Sequence, residues 1–298
     1  MGTRSISFVS ISNRCLTSSS RRSALNKVII TVALNGSLPT KEMNPHVPMT
    51  PEELGVTAAK CQESGASIAH VHARDSNGLP TLDPEVFDRI HAEISARTDL
   101  IVQISTGARA GTDTEERAEP VRRIRPEMAS LTTGSMNFPK QVYSNSFEVF
   151  ERLAAVMKDA GTKPEMEIFE AGMIENALLL VKGGLAAPPL HFDFVLGSRG
   201  SQPATARQLM FLSESIPGDA TWTVAALGRW QLPMGILAIG MGGHVRVGLE
   251  DNLYYRYGEP ASNEQLVARM ARIAEESERG VATPDEARRM LNIQKEPR

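Results

Sequence analysis

The sequence predicts a single (β/α)8 barrel, and three observations carry that prediction. From Lys27 onward, short β-branched or apolar runs alternate with longer stretches of helical period. Eight such pairs follow one another in strict order, the pattern of parallel strands joined by crossover helices. Residues 27–298 also give the length of a one-domain barrel, which typically takes about 250 residues. The competing architecture is an open doubly wound sheet, which favours a glycine-rich turn after its first strand. Here the first strand is followed by NGSLPTKEMNPHVP, with no G-x-G-x-x-G. No repeat of about 20–50 residues is visible, which excludes a solenoid.

The predicted strands are KVIITVAL (27–34), SIAHVHA (67–73), LIVQIS (100–105), EMASLT (127–132), PEMEIF (164–169), HFDFVL (191–196), ATWTVAA (220–226) and HVRVGL (244–249). Helices are expected at 51–64, 84–97, 113–123, 146–160, 172–182, 203–214, 230–240 and 263–279. Thr50-Pro51-Glu52-Glu53 opens the first helix with a capping hydroxyl, a proline at the first helical position and acids in the first turn. Asp83-Pro84-Glu85 repeats the design, and Thr283-Pro284-Asp285-Glu286 starts a short terminal helix.

Composition narrows the function classes. Thirty-two basic and 35 acidic residues give −3 and a pI near 6.1, which excludes a basic nucleic-acid footprint. Cys15 and Cys61 are the only cysteines, so there is neither a disulfide framework nor a thiolate metal site. No apolar run reaches the roughly 20 residues of a membrane span. The charge is uneven. Residues 1–26 hold four Arg, eight Ser and no acid, the composition of a disordered arm or a transit-like peptide. The expected location is cytoplasmic, or organellar if that segment is a transit peptide.

Barrel active sites lie at the C-terminal strand ends. Those ends read Asn35-Gly36, then His70-Val71-His72, Ser105-Thr106-Gly107, and Ser130 running into Thr132. Glu167 and Glu170, Gly197-Ser198-Arg199, Gly228-Arg229 and Arg246 with Glu250-Asp251 complete the set. His70 and His72 are the sharpest feature, because residues i and i+2 on a strand point to one face. Two imidazoles aimed at one point suit a divalent metal. A catalytic zinc takes three protein ligands and keeps one position open. His191 and His244 open their strands at the opposite end, and His91 lies in a predicted helix, so Glu250 is the third candidate. Two histidines and a carboxylate also suit ferrous iron. Asp251, beside a ligand and near Arg246, is a candidate general base.

In these same stretches the chain resembles the β-keto acid cleavage enzymes. The carrying segments are ITVALNG (30–36), PEELGVTAAKCQESGASIAHVHARD (51–75), STG (105–107), PEMASLTTGSMNF (126–138), PEMEIFEAGM (164–173), FVLG (194–197) and GGHVRVGLEDN (242–252). The resemblance implies a zinc-dependent barrel with Zn2+ on His70, His72 and Glu250. It implies condensation of a β-keto acid with acetyl-CoA to acetoacetate and a new acyl-CoA. It further implies Asp251 as base with Arg246 in support, and Glu167, Ser130, Thr106, Ser105 and Asn35 around the substrate. Membership also implies a homo-oligomer, a tetramer in the family.

One position departs from the pattern. Family members acting on an amino substrate carry Glu where Leu38 stands here. A buried ammonium facing Leu38 would lack a partner at a cost of several kcal/mol, so a neutral or apolar β-keto acid is expected. Arg109, Arg199 and Arg229 are candidates for CoA phosphates. Two other readings remain open: a metal hydrolase of the amidohydrolase type, whose H-x-H belongs to the first strand, and a non-catalytic metal-binding barrel.

Overall fold

The computed structural model describes residues 27–108 and 111–293. The segment 1–26 with Cys15, and Arg109, lie outside the described residues. In chain order the strands are β1 (Ile30–Ala33), β2 (Ile68–Val71), β3 (Ile101–Ile104), β4 (Met128–Thr132), β5 (Met136–Phe138), β6 (Gln141–Tyr143), β7 (Lys163–Ile168), β8 (His191–Leu196), β9 (Thr221–Ala226), β10 (His244–Val247), β11 (Tyr254–Arg256) and β12 (Glu259–Pro260). The helices are α1 (Pro51–Glu63), α2 (Pro84–Ser95), α3 (Thr114–Ile124), α4 (Phe147–Ala160), α5 (Gly172–Lys182), α6 (Ala206–Glu214), α7 (Gln231–Gly240), α8 (Asn263–Glu276) and α9 (Pro284–Leu291). Strands β1–β4 and β7–β10 are parallel and close into a barrel, as the sequence predicts. Two short antiparallel hairpins, β5–β6 and β11–β12, are additions that the alternating pattern does not announce.

The helix starts follow local chemistry. Thr50 accepts from Glu53 N–H at 3.2 Å, and Glu53 accepts from Thr50 N–H at 3.3 Å. Thr283 and Glu286 form the same reciprocal pair. Each such cap is worth about 1 kcal/mol. Among the described residues no helix is long and apolar enough to cross a membrane.

The two faces of the barrel wall differ. Phe192, Phe194 and Leu196 of β8 pack into the large core beneath the helices. The alternate residues His191 and Asp193 are equally buried but polar. At the N-terminal end the barrel is stopped by an apolar plug: Ile29, Ile68, Ile101 and Met128 meet Ala282, Ala287 and Leu291, the last two from α9. Burying each large side chain there contributes roughly 1.5–3 kcal/mol. Above the plug the interior turns polar, with Thr31, His70, Gln103, Ser130, Glu165, Asp193, Thr223 and Arg246 all buried. A barrel interior is usually filled by layers of branched apolar side chains. Here the chemistry of the strand ends continues down into the wall.

Candidate functional site

His70 and His72 leave β2 and the residues just after it with their rings 5.2 Å apart. Their Nε2 atoms lie 3.3 Å from each other. Glu250, in the loop after β10, brings Oε1 to 3.3 Å from His72 Nε2 and Oε2 to 3.6 Å from His70 Nε2. Among the described residues this is the one His/Cys/Asp/Glu group whose ligand atoms converge within 4.8 Å.

The supporting contacts orient both rings. His70 Nδ1 sits 2.7 Å from Gln103 Oε1, an atom that only accepts, so Nδ1 carries the hydrogen and Nε2 offers its lone pair. His72 Nδ1 lies 2.9 Å from the Ser37 hydroxyl. Burial lowers the His70 pKa to about 4, which keeps the ring neutral near pH 7. Burial alone would raise the Glu250 pKa. The Arg246 charge above all outweighs it and holds the carboxyl well below its usual range. Glu250 Oε2 is buried and has no hydrogen-bond partner among the described residues. Two outward-anchored imidazoles and a partnerless carboxylate oxygen at one point fit a divalent cation.

Two glycines make room for this group. Gly36 has φ +63°, and a Cβ there would stand 2.5 Å from Glu250 Cγ. Gly248 has φ +143°, and a Cβ there would stand 2.1 Å from the Ala33 carbonyl oxygen. The turn that delivers Glu250 therefore has to pass against the backbone of β1.

Beside the ligand group, Arg246 gathers carboxylates. Nε donates to Asp251 Oδ2 at 3.0 Å, and Nη2 donates to Asp251 Oδ1 at 3.2 Å and Glu250 Oε1 at 2.7 Å. Nη1 faces Asp193 Oδ2 at 3.5 Å and Glu167 Oε1 at 3.6 Å. Burial works against the Arg246 charge, but the carboxylates around it raise its pKa well above normal. Burial pushes Asp251 up to about 6 against the pull of Arg246. Burial also raises the Glu167 pKa, while Arg246 and the Thr132 hydroxyl, which donates at 2.7 Å, oppose it.

Several expected substrate contacts have other work. Both ends of the Asn35 amide are bonded to the backbone of His72, at 2.9 and 3.1 Å. Asn35 thus steadies the backbone of His72 and keeps its second N–H and second oxygen lone pair. Thr106 donates its hydroxyl to the Ser130 carbonyl at 2.7 Å, so its one O–H is taken. Ser105 accepts from Gly107 N–H at 3.1 Å and Ser130 from Thr106 N–H at 3.4 Å, and both keep an O–H to donate. Leu38 is corrected most. Its side chain is 83% exposed, because Arg74 clamps the Gly36 and Pro39 carbonyls and turns the loop outward. An ammonium near Leu38 keeps its water, and the expected penalty of several kcal/mol shrinks to about 1 kcal/mol or less for a lost exposed ion pair. Glu170 lies beyond β7, and Arg229 stacks on Trp230, 4.7 Å above its ring.

The residues that sequence reasoning passes over are Gln103, Ser37 and Asp193. Gln103 and Asp193 each interrupt an apolar strand with one polar residue, the signal that could have found them.

A model of the beta-keto acid cleavage enzymes matches residues 27–293. The chain belongs to this family. It is 46% identical over 274 residues to a 3-keto-5-aminohexanoate cleavage enzyme of Fusobacterium nucleatum, spanning 91% of this chain and all of that one. It is 39% identical over 270 residues to the 3-oxoadipate:acetyl-CoA acetyltransferase of Cupriavidus necator, covering 89% of this chain and 94% of that one. At 32% identity it is similar to a 3,5-dioxohexanoate:acetyl-CoA acetone transferase of Paraburkholderia graminis, across 90% of this chain and 96% of that one. The apo structure of ObcA shares the fold with a TM-score of 0.74 at 20% identity, over 84% of this chain and 66% of that one. In this chain the H-x-H pair stands at the end of the second strand, His70 within β2 and His72 just beyond it. No third histidine joins it among the described residues, which leaves the hydrolase reading without support.

Proposed function

We propose that this protein is a zinc-dependent acyl-exchange enzyme. It would convert a β-keto acid and acetyl-CoA into acetoacetate and the acyl-CoA of the remaining fragment. The observation that carries the proposal is the convergence of His70, His72 and Glu250 beside the Arg246–Asp251 pair, in a chain of this family. Zinc held by those three side chains would polarise the keto and carboxylate oxygens of the substrate as a Lewis acid.

The protein's own groups would do the rest. Asp251, buried and bonded to Arg246, would take the proton from C2 of the β-keto acid. The resulting carbanion would attack the acetyl thioester carbonyl, forming one C–C bond and expelling CoA thiolate. The thiolate would then add to C3 and the original C2–C3 bond would break, giving R–CO–S-CoA and the acetoacetate carbanion, which takes the proton back from Asp251. Glu167 and the free O–H groups of Ser105 and Ser130 would orient the substrate above the barrel interior. Arg199 and Arg229 are available for CoA phosphates.

We further propose a neutral or apolar β-keto acid as substrate. Leu38, in the loop beside Ser37, offers no charge to an ammonium, and because that position is exposed the preference it confers is small, about 1 kcal/mol or less. The exposed Met210 and Phe211 on α6 suit a homo-oligomer, which light scattering checks.

The test is a panel of β-keto acids with acetyl-labelled acetyl-CoA. The expected result is acetoacetate carrying the label and a stoichiometric new acyl-CoA, with uncharged short-chain acids favoured. If the label stays on CoA while the keto acid is merely hydrolysed, the exchange reading fails. If 3-keto-5-aminohexanoate is turned over best, the substrate reading fails alone.

A further inference from the structure

The strand β8 carries a carboxylate that the reaction above leaves unused. Asp193 is fully buried, in register with Glu167 on β7 and with Thr223 on β9. Neither of its oxygens has a hydrogen-bond partner among the described residues. Opposite it stands Arg246 Nη1, also without a hydrogen bond among the described residues, at 3.5 Å from Asp193 Oδ2. A donor and an acceptor that both lack partners thus face each other at just beyond bonding distance, beneath the ligand group. The other edge of the same guanidinium is fully occupied by Asp251 and Glu250.

We propose that Asp193 is a positioning residue. It takes the Nη1 edge of Arg246 from below and so keeps the opposite edge of the planar guanidinium on Asp251 and Glu250. The inference rests on the reading of Asp251 as the base.

The charge arrangement says which form of Asp193 does this. Four carboxylates, from Glu167, Asp193, Glu250 and Asp251, lie within 3.6 Å of one guanidinium. Glu165 adds a fifth nearby, paired with His191 at 3.3 Å. Burial, together with Glu165, Glu167 and Asp251, raises the Asp193 pKa well above its ordinary value despite Arg246, and so favours the neutral form. A neutral acid offers Nη1 an acceptor oxygen without drawing the guanidinium charge away from Asp251. Its O–H is then free to donate to a neighbouring carboxylate.

Asparagine presents the same acceptor and donor at the same size, and leucine presents neither. Asp193→Asn should keep kcat within about threefold, and Asp193→Leu should lower it by roughly 10- to 100-fold with little change in KM, the scale of a displaced catalytic group. A second readout is independent of turnover: the 15N side-chain resonance of Arg246 Nε, assigned by its loss in Arg246→Lys. It should be unchanged in Asp193→Asn and shifted in Asp193→Leu. Where the leucine variant does not fold, Asp193→Ala takes its place in both measurements. The proposal is overturned if the apolar variant keeps both kcat and the resonance, or if Asp193→Asn is impaired as much as the apolar variant. An inactive wild type would count against the functional reading, and the resonance would still decide the role of Asp193.

Discussion

The barrel holds two histidine–carboxylate clusters of nearly the same composition, and they are built to opposite ends. The upper one is His70, His72 and Glu250. The lower one is His191, His244 and Glu165. In the upper cluster the outer ring nitrogens are anchored on Gln103 and Ser37, and the inner nitrogens point at one another across 3.3 Å with no protein donor between them. In the lower cluster the nitrogens are spent on the protein. His191 faces Thr221 at 2.8 Å on one nitrogen, and Thr223 at 3.2 Å and Glu165 at 3.3 Å on the other. His244 Nδ1 accepts from Ile29 N–H at 3.2 Å. Access differs as well. His72 and Glu250 reach solvent at 14% and 16%, whereas His191 and Glu165 are sealed above the apolar plug. Residue type does not make a metal site. Lone-pair direction and an open side do.

The contrast can be broken by mutation, and the largest effect is expected at a ligand. His72→Ala should abolish bound metal and turnover together, while His191→Ala should leave metal content unchanged. Elemental analysis of the two purified variants checks this. Equal metal loss in both would erase the distinction.

A smaller but still large effect is expected where the upper cluster meets β1. Gly36→Ala would place a Cβ 2.5 Å from Glu250 Cγ on a backbone of positive φ. Displacing that ligand should weaken metal affinity by roughly 10- to 100-fold, as for other supports of a metal ligand. A chelator competition titration measures it, and wild-type affinity in the variant would count against the role given to this turn. Gln103→Leu, which frees His70 Nδ1, should fall at or below the lower end of the same range.

The lower cluster should show itself in stability. Burial, with the His191 and Arg279 charges, drives the His244 pKa well below its ordinary 6.5. The unfolded chain therefore binds a proton below pH 6.5 that the folded chain refuses. Stability contributed by His244 is fully present above pH 6.5 and falls with acidification, by up to about 1.4 kcal/mol per pH unit. His244→Asn, which retains an acceptor, should flatten the acid side of the unfolding free energy relative to wild type. Parallel curves for the two proteins between pH 7 and 5 would rule this out.

How far all this was legible in the sequence differs by feature. The eight strands were legible because each is a β-branched or apolar run bounded by a helix start, and the H-x-H spacing fixes one face by geometry alone. The convergence of Glu250 on the histidine pair was legible from its place after the eighth barrel strand. The β5–β6 and β11–β12 hairpins were not, since strands of two or three residues carry no period. Leu38 was misjudged because its exposure depends on Arg74 gripping carbonyls of a distant turn, a contact that no local pattern encodes. The tasks of Asn35 and Thr106 were hidden for a similar reason: a polar side chain at a strand end has a hydrogen bond to give, and only the fold says whether backbone or substrate receives it.

The most direct measurement titrates zinc into metal-stripped protein while following acetyl-CoA-dependent acetoacetate formation in the same sample. Activity should rise in proportion to bound zinc and stop at one ion per chain, and Asp251→Asn should bind the same ion without turnover. Full activity before zinc is added, or one zinc per chain with no acetoacetate from any β-keto acid, would contradict the assignment of the upper cluster as the reaction centre.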